Sequence, residues 1–296
     1  MDKKKDERPK GYRDTYDPNL AYKGETFDCV VIDGSNCIVS GSRANIKYTF
    51  DRLLRTVNAV HALGWPTYVG LQRGQYDFLT KFSELPEDKK KQLIEVKELT
   101  NASLINSKED DQWLLRQAVN QNGWLLTHDR MKTEKEKYIE ENPSVVNEIN
   151  RRLCVLNFVG DEPVFNLPKR DTDTIISTRM AMVDKEIKDM INKLTSIPVS
   201  LKVHEQMVET EFKLGVPIGR KEFEALTSHE ELGKVSGAHF RLDVKDGAVL
   251  FTDLSSTNGS MMNKVLFAPN AKNILEKNEE NLIFIGSKNI SIRISY

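Results

Sequence analysis

Four carboxylates in the first half of this chain, Asp33, Asp110, Asp111 and Asp129, occupy places from which they could act together. Asp33 directly follows the apolar run at residues 29–32 and precedes the turn residues Gly34, Ser35 and Asn36. Asp129 follows "WLLTH" in the same way, and Asp110 and Asp111 open a helical pattern just after the short run "ASLIN", with Ser107 as its expected N-cap. Gathered carboxylates repel one another, which raises their pKa values and destabilises a fold unless a cation offsets the charge. Hard, oxygen-seeking ions such as Mg²⁺, with Mn²⁺ as the alternative, suit such a set. A metal so held can acidify water and stabilise charge on a phosphate under attack. Singly, each acid has a plainer role: Asp33 and Asn36 as turn residues, Asp110 and Asp111 as partners of a helix macrodipole. The ordered set carries the functional reading.

The elements around these acids predict how they meet. Apolar runs ending at Ile32, in "PTYVGLQ", in "ASLIN", in "WLLTHD" and in "CVLNFVG" alternate with helical patterns. One such pattern takes Ile46, Phe50, Leu53, Leu54, Val57, Val60 and Leu63 and stops at Gly64; another opens at Pro86. Strands alternating with helices imply right-handed crossovers and an α/β doubly wound parallel sheet. Ligands of such sheets bind outside the carboxyl ends of the strands, where all four acids are expected.

After about residue 195 the pattern changes to short β-type runs, "VSLKVHE", "EFKLG", "GAHFRLDV", "AVLFTDL", "LIFIGS" and "ISIRIS", separated by turn residues. This predicts an antiparallel, all-β sandwich. Between the halves, Ile176, Met180, Val183, Ile187, Met190 and Leu194 form a heptad-like stripe. A linker helix lying on its own domain is the favoured reading, with a seam for a homodimer or hetero-oligomer as the alternative.

The 296 residues suffice for two domains, and the formal net charge of −1 gives no global basic field. Any nucleic-acid surface must be local. No apolar stretch approaches the length of a membrane span, and the first 24 residues are expected to be a charged, disordered head. Cys29, Cys37 and Cys154 have no C-x-x-C spacing and the five histidines no metal-ligand spacing. An intracellular setting, cytoplasmic or nuclear, is expected, without a disulfide framework or a zinc site.

"VVIDGSN", then "EDD" at a helix start, then "LLTHD" resembles the NYN branch of PIN-like ribonucleases, particularly the regnase-type endonucleases. The resemblance spans about residues 25–168. It implies a Mg²⁺-dependent endonuclease cleaving single-stranded RNA, with Asp33, Asp110, Asp111 and Asp129 as metal-site acids. Asn36 would hold the first loop or a water at the metal. Where the family often has a further acid, four residues after the position of Asp129, this chain has Thr133, with Glu134 beside it as the substitute. Arg43, Lys47, Arg73 and Arg130 are candidate phosphate contacts, whereas Lys89, Lys90 and Lys91 read as a solvated helix face.

"VPIGR", "KVSGAHFRL" and "TDLSSTNGSMMN", in that order, resemble the forkhead-associated (FHA) domain over about residues 197–296. The resemblance implies a phosphothreonine-protein partner, bound by Arg220, Ser236, Thr257 and Asn258. Gly219, His239 and Gly259 would be structural. A phosphoryl group carries about −1.5 to −2 charges and favours such charge-assisted donors. Gly237 stands where the family often has a larger polar residue. The expected organisation is a head (1–24), an NYN domain (25–168), a linker helix (169–195) and an FHA domain (196–296). The expected function is a ribonuclease targeted through phosphothreonine. The rivals are a non-catalytic NYN–FHA adaptor, which Thr133 favours, and a DNA-directed nuclease.

Overall fold

A computed structural model describes residues 27–42, 45–106, 110–138, 143–181, 183–224, 226, 229–277 and 279–296. The expected charged head, Arg43 and the N-cap Ser107 lie outside the described residues.

The first strand, β1 (Cys29–Asp33), is buried along its whole length. Alternate residues serve two different cores. Val30 and Ile32 pack with Leu53, Val57 and Val60 of α2 (Asp51–Ala62), together with Leu93 and Val96. Cys29 and Val31 face Leu114, Leu115 and Ala118 on the opposite side. A strand covered on both faces reads as an unbroken apolar run, which is why "CVVI" shows no alternation. Burial of each such side chain stabilises the fold by roughly 1.5–3 kcal/mol.

Between β1 and α2 come α1 (Gly34–Ile38) and a hairpin of β2 (Val39–Ser42) and β3 (Asn45–Tyr48). Ile46 therefore lies in a strand, half exposed, and not on the expected helix face. The helical stripe begins with Leu53 because residues 45–48 pair back onto residues 39–42. The chain continues through β4 (Thr67–Gln72), α3 (Arg73–Asp77), a π-helical turn (Phe78–Phe82) and α4 (Glu87–Leu99). Then follow β5 (Ser103–Ile105), α5 (Asp110–Asn120), β6 (Gly123–Thr127), α6 (Lys132–Tyr138), α7 (Pro143–Arg152) and β7 (Leu153–Val155). Pro86 caps α4, as its missing N–H and fixed φ allow.

The sheet order is β5–β4–β1–β6–β7, every pairing parallel. Numbered within this domain, the strands run 3-2-1-4-5, so the order reverses between β1 and β6. That reversal is the point at which doubly wound sheets open a crevice. A small hairpin, β8 (Asn157–Val159) with β9 (Glu162–Val164), follows, and Arg52 of α2 pairs with Asp161 in its turn at 2.8 Å.

Two helices, α8 (Thr172–Met180) and α9 (Lys185–Asn192), replace the single expected linker helix. Asp184 starts α9 afresh by accepting from the Glu186 N–H, and this divides the heptad-like stripe. Ile176 packs on Ala248, Leu250 and Ile274, and Ile191 joins the second domain's core, while Met190 is 62% exposed. These helices lie on their own chain. Arg179 of α8 bridges Asp28 and Glu276, one from each domain.

The second domain is a β-sandwich. One sheet holds β11 (Gln206–Lys213), β10 (Ser196–Val203), β19 (Ser287–Ile294), β18 (Asn281–Ile285), β15 (Ser260–Met262) and β16 (Val265–Leu266), in that order. The other holds β12 (Pro217–Ile218), β13 (Phe240–Lys245), β14 (Ala248–Asp253) and β17 (Lys272–Ile274). Phe240 stacks on Phe251 with centroids 4.9 Å apart, and Phe212 and Phe267 extend this aromatic core. Two one-turn helices, α10 (Arg220–Phe223) and α11 (His229–Leu232), sit between β12 and β13. β16 also pairs with β4 through Leu266 and Thr67, so the first sheet of the sandwich continues into the parallel sheet.

Candidate functional site

The acid cluster forms where β1, β6 and α5 end or begin. Register places Ile32 beside Leu126, so the next residues, Asp33 and Thr127, are neighbours across the sheet. The Thr127 hydroxyl donates to Asp33 Oδ2 at 2.9 Å. Asp33 also caps α1, accepting from the Asn36 N–H at 3.1 Å and from the Asn36 side-chain amide at 2.5 Å. Asp33 is 3% exposed, and burial pushes its carboxyl up to about 6, although the bonds from Asn36 and Thr127 favour the ionised form.

Asp110 and Asp111 begin α5, and Asp111 is half-buried. Burial first, then the charges of Asp110, Glu134, Asp33 and Asp129, raise the Asp111 carboxyl to about 7. Every other acid proposed from the sequence therefore acts electrostatically on this one residue. Glu134, in the first turn of α6, is among them, and neighbouring Thr133 is exposed. Asp129 accepts from the Met131 N–H at 2.8 Å, fixing the turn between β6 and α6.

A cleft of about 520 Å³ adjoins the cluster, lined by Asn36, His128, Asp129 and Arg130 with Val155 and Asn157. Arg130, Arg73 and Lys47 are exposed. Lys90 pairs with Glu87 at 2.9 Å, and Lys89 and Lys91 are exposed on the same helix, as a solvated face requires.

The donor set is entirely oxygen, and the leading charge effects on Asp33 and Asp111 come from neighbouring acids. Among the described residues, no three Asp, Glu, His or Cys side chains are gathered closely enough to hold an ion by themselves. One or two carboxylates with several waters remain a suitable site for Mg²⁺, which gives up water reluctantly. The residues fit that ion.

Thr127 escapes a reading by residue type. It is wholly buried, bonded to Asp33 and Asn36, and accepts from the Asp129 N–H at 3.2 Å. The signal was its position, the residue of β6 that register sets beside Asp33.

The loops of the sandwich form a second site. The Arg220 N–H and Nε donate to the carbonyls of Ser236 and Val235 at 3.0 and 3.1 Å, which orients an exposed guanidinium. Ser236 Oγ accepts from the Thr257 N–H at 3.1 Å, and the Asn258 amide donates to the Lys234 carbonyl at 2.9 Å. All four residues expected to read phosphate are thus joined on one loop surface. His239 is fully buried beneath it; Nδ1 accepts from the Ser236 N–H and Nε2 donates to the Gly259 carbonyl. Burial lowers its pKa, which keeps the ring neutral in that tautomer. Asp253, also missed from the sequence, accepts from Ser256 and Ser260 and braces the same turn.

Gly219 is required by close approach: a Cβ there would lie 2.1 Å from the Gly237 carbonyl oxygen and 2.6 Å from that of Ser236. Gly219→Ala should force the Arg220 and Ser236 segments apart and lower the melting temperature by several degrees, measured by calorimetry on the full chain. A melting curve matching the wild type would show that the loops absorb the methyl group. Gly237, in contrast, is open to solvent with space for a side chain.

Comparison with known proteins finds a family model for each half of the chain. A family model described as the Zc3h12a-like Ribonuclease NYN domain matches residues 27–175, and an FHA domain model matches residues 216–284. An FHA domain solved for its phosphothreonine-dependent interactions is 23% identical, with a TM-score of 0.25, covering 33% of this chain and 96% of that one. An FHA domain of an Arabidopsis thaliana hypothetical protein is 20% identical, with a TM-score of 0.27, covering 35% of this chain and 88% of that one. The nuclear protein-only RNase P 2 of Arabidopsis thaliana is 14% identical, with a TM-score of 0.38, covering 48% of this chain and 30% of that one. No curated protein matches the chain. With residues 27–175, half of its length, matched, the chain belongs to the Zc3h12a-like NYN ribonuclease family and carries an FHA domain after it.

Proposed function

We propose that this protein is a metal-dependent endoribonuclease that cleaves single-stranded RNA and is brought to its targets by an FHA domain binding phosphothreonine. The observation that carries the reading is the convergence of Asp33, Asp110, Asp129 and Glu134 on Asp111 at the carboxyl edge of a parallel sheet. In this reading residues 25–168 form the catalytic domain, 169–195 the linker and 196–296 the phosphopeptide domain. In this reading the protein works inside the cell, where its three buried cysteines persist as thiols. No described helix is long and apolar enough to cross a membrane.

Asp33, Asp110, Asp111 and Asp129 would serve as the acids of an Mg²⁺ or Mn²⁺ site, one or two of them binding the ion directly and the others through its waters, with Glu134 completing the acid set. When bound, the ion lowers the pKa of water and offsets charge on the phosphate under attack. Asn36 and Thr127 fix the Asp33 carboxylate through three hydrogen bonds, so its orientation is set before substrate arrives. Arg130, on the rim of the cleft, is placed to contact a flanking phosphate. In the second domain Arg220, Ser236, Thr257 and Asn258 bind the phosphoryl group, while Gly219, His239 and Gly259 hold the loops.

Labelled single-stranded RNA should be cut by the purified full chain in Mg²⁺ and left intact in EDTA, and single-stranded DNA should be spared. Glu134→Gln should slow cutting by roughly tenfold if Glu134 stands in for the family acid. An uncut RNA in Mg²⁺ and Mn²⁺ would instead support the adaptor. Cutting of DNA and RNA alike would support the broader nuclease.

A further inference from the structure

We propose that the FHA domain supplies part of the RNA-binding surface, through a basic groove between the domains that takes the phosphate backbone of the bound strand. The inference rests on the ribonuclease reading above. The groove measures about 590 Å³ and is lined by Arg73 and Lys97 from the first domain and by Lys264 and Lys288 from the second. Among the described residues, no Asp or Glu lines it. No ion pair among the described residues engages any of the four cations. In a chain of net charge −1, four unneutralised cations in one groove are the local field that a nucleic-acid surface requires.

Backbone connections tie this groove to the acid cluster. Arg73 follows β4 directly, and the last residue of that strand, Gln72, donates its N–H to Ser35 Oγ at 2.8 Å, one residue from Asn36. Lys264 lies in the turn between β15 and β16, and β16 pairs with that same β4. The Asn101 amide donates to the Met261 sulfur across the seam, fixing the hairpin against the first domain. Lys288 is the second residue of β19, and Phe284 of β18, partly buried, also lines the groove and offers a ring on which a base can stack. Cations spread over two domains match a repeating chain of phosphates better than the single dianion of a phosphopeptide. Arg220 and Ser236 are not among the lining residues.

The test is equilibrium binding of a fluorescent single-stranded RNA to the full chain in EDTA, across a salt series. For single strands each phosphate neutralised contributes about 0.7 to the slope of log affinity against log salt. Lys264→Ala with Lys288→Ala should therefore lower that slope by about 1.4 and weaken binding about tenfold near 0.1 M salt. Replacing both lysines by Arg should restore the slope. An unchanged slope and affinity in the double Ala variant, with wild-type protein that binds and cuts RNA, would overturn this inference and leave the ribonuclease reading standing. Wild-type protein that binds no RNA would overturn both. An Arg variant that restores affinity without restoring the slope would place the lysines in fold support and also overturn it.

Discussion

Asp111→Asn should abolish RNA cleavage while making the metal-free protein more stable at pH 8. The two effects have one cause. Burial and four neighbouring acids raise the Asp111 carboxyl to about 7, against an ordinary value of 3.8. An acid whose pKa rises on folding is protonated in the folded chain and ionised in the unfolded chain between these limits. Stability is then highest below about pH 4 and falls as the pH rises toward about 7. Asp33, raised to about 6, adds to the same trend over a narrower window. Asn at position 111 carries no charge, so its advantage should grow across that window and level off above it. Because Asp111 is half exposed, solvent screening reduces the gain to about 1 kcal/mol, which corresponds to roughly 2–4 °C in melting temperature. Mg²⁺ should raise the melting temperature of the wild type more than that of the variant, since binding to the folded form alone stabilises it. The rate of cutting should fall by at least about a hundredfold, the usual cost of losing a group that stabilises charge in the transition state. An Asn variant that cuts at the wild-type rate, or that melts lower at pH 8, would remove Asp111 from the centre of the site.

How much of this site can be read in advance depends on whether the information is local. Asp33 and Asp129 follow unbroken apolar runs, and strands covered on both faces produce such runs, so their places at strand ends are legible. Glu134 is legible by its spacing from Asp129, and its action on Asp111 is consistent with that reading. Thr127 is not legible as more than a β-branched strand residue. Its hydroxyl matters only because register pairs Ile32 with Leu126. Asp253 is hidden for the same reason, since its partners Ser256 and Ser260 define a turn only after β14 and β15 are placed. Ile46 misleads because four residues of alternating hairpin and one turn of helix can place an apolar side chain at the same spacing. The break at Asp184 shows the converse, since a continuous stripe survives the interruption of the helix that carries it. The seam between β16 and β4 has no local signal at all, because a single pairing of Leu266 with Thr67 creates it.

The second large effect is expected at Arg220. The Nε–H of this side chain is held by the Val235 carbonyl and its backbone N–H by that of Ser236, so the guanidinium is oriented before any ligand binds. Ser236 and Asn258 reach the same surface from two other segments, joined to it through the Thr257 N–H and the Lys234 carbonyl. A buried, neutral His239 couples Ser236 to Gly259, whose φ of +72° suits glycine at the tip of the turn. Little ordering is left to pay for on binding, so most of the charge-assisted interaction should appear as affinity. Such hydrogen bonds contribute roughly 1.5–3 kcal/mol each, so Arg220→Ala should weaken binding of phosphothreonine peptides by about ten- to a hundredfold. Arg220→Lys should fall between, keeping the charge and losing the planar fork. The measurement is binding of phosphorylated and unmodified peptide pools to the full chain, with and without each substitution. Phosphorylation should control affinity in the wild type, and Arg220→Ala should erase most of the difference. Equal binding of both pools by the wild type, or normal binding by Arg220→Ala, would mean that the loop surface serves a contact other than phosphate.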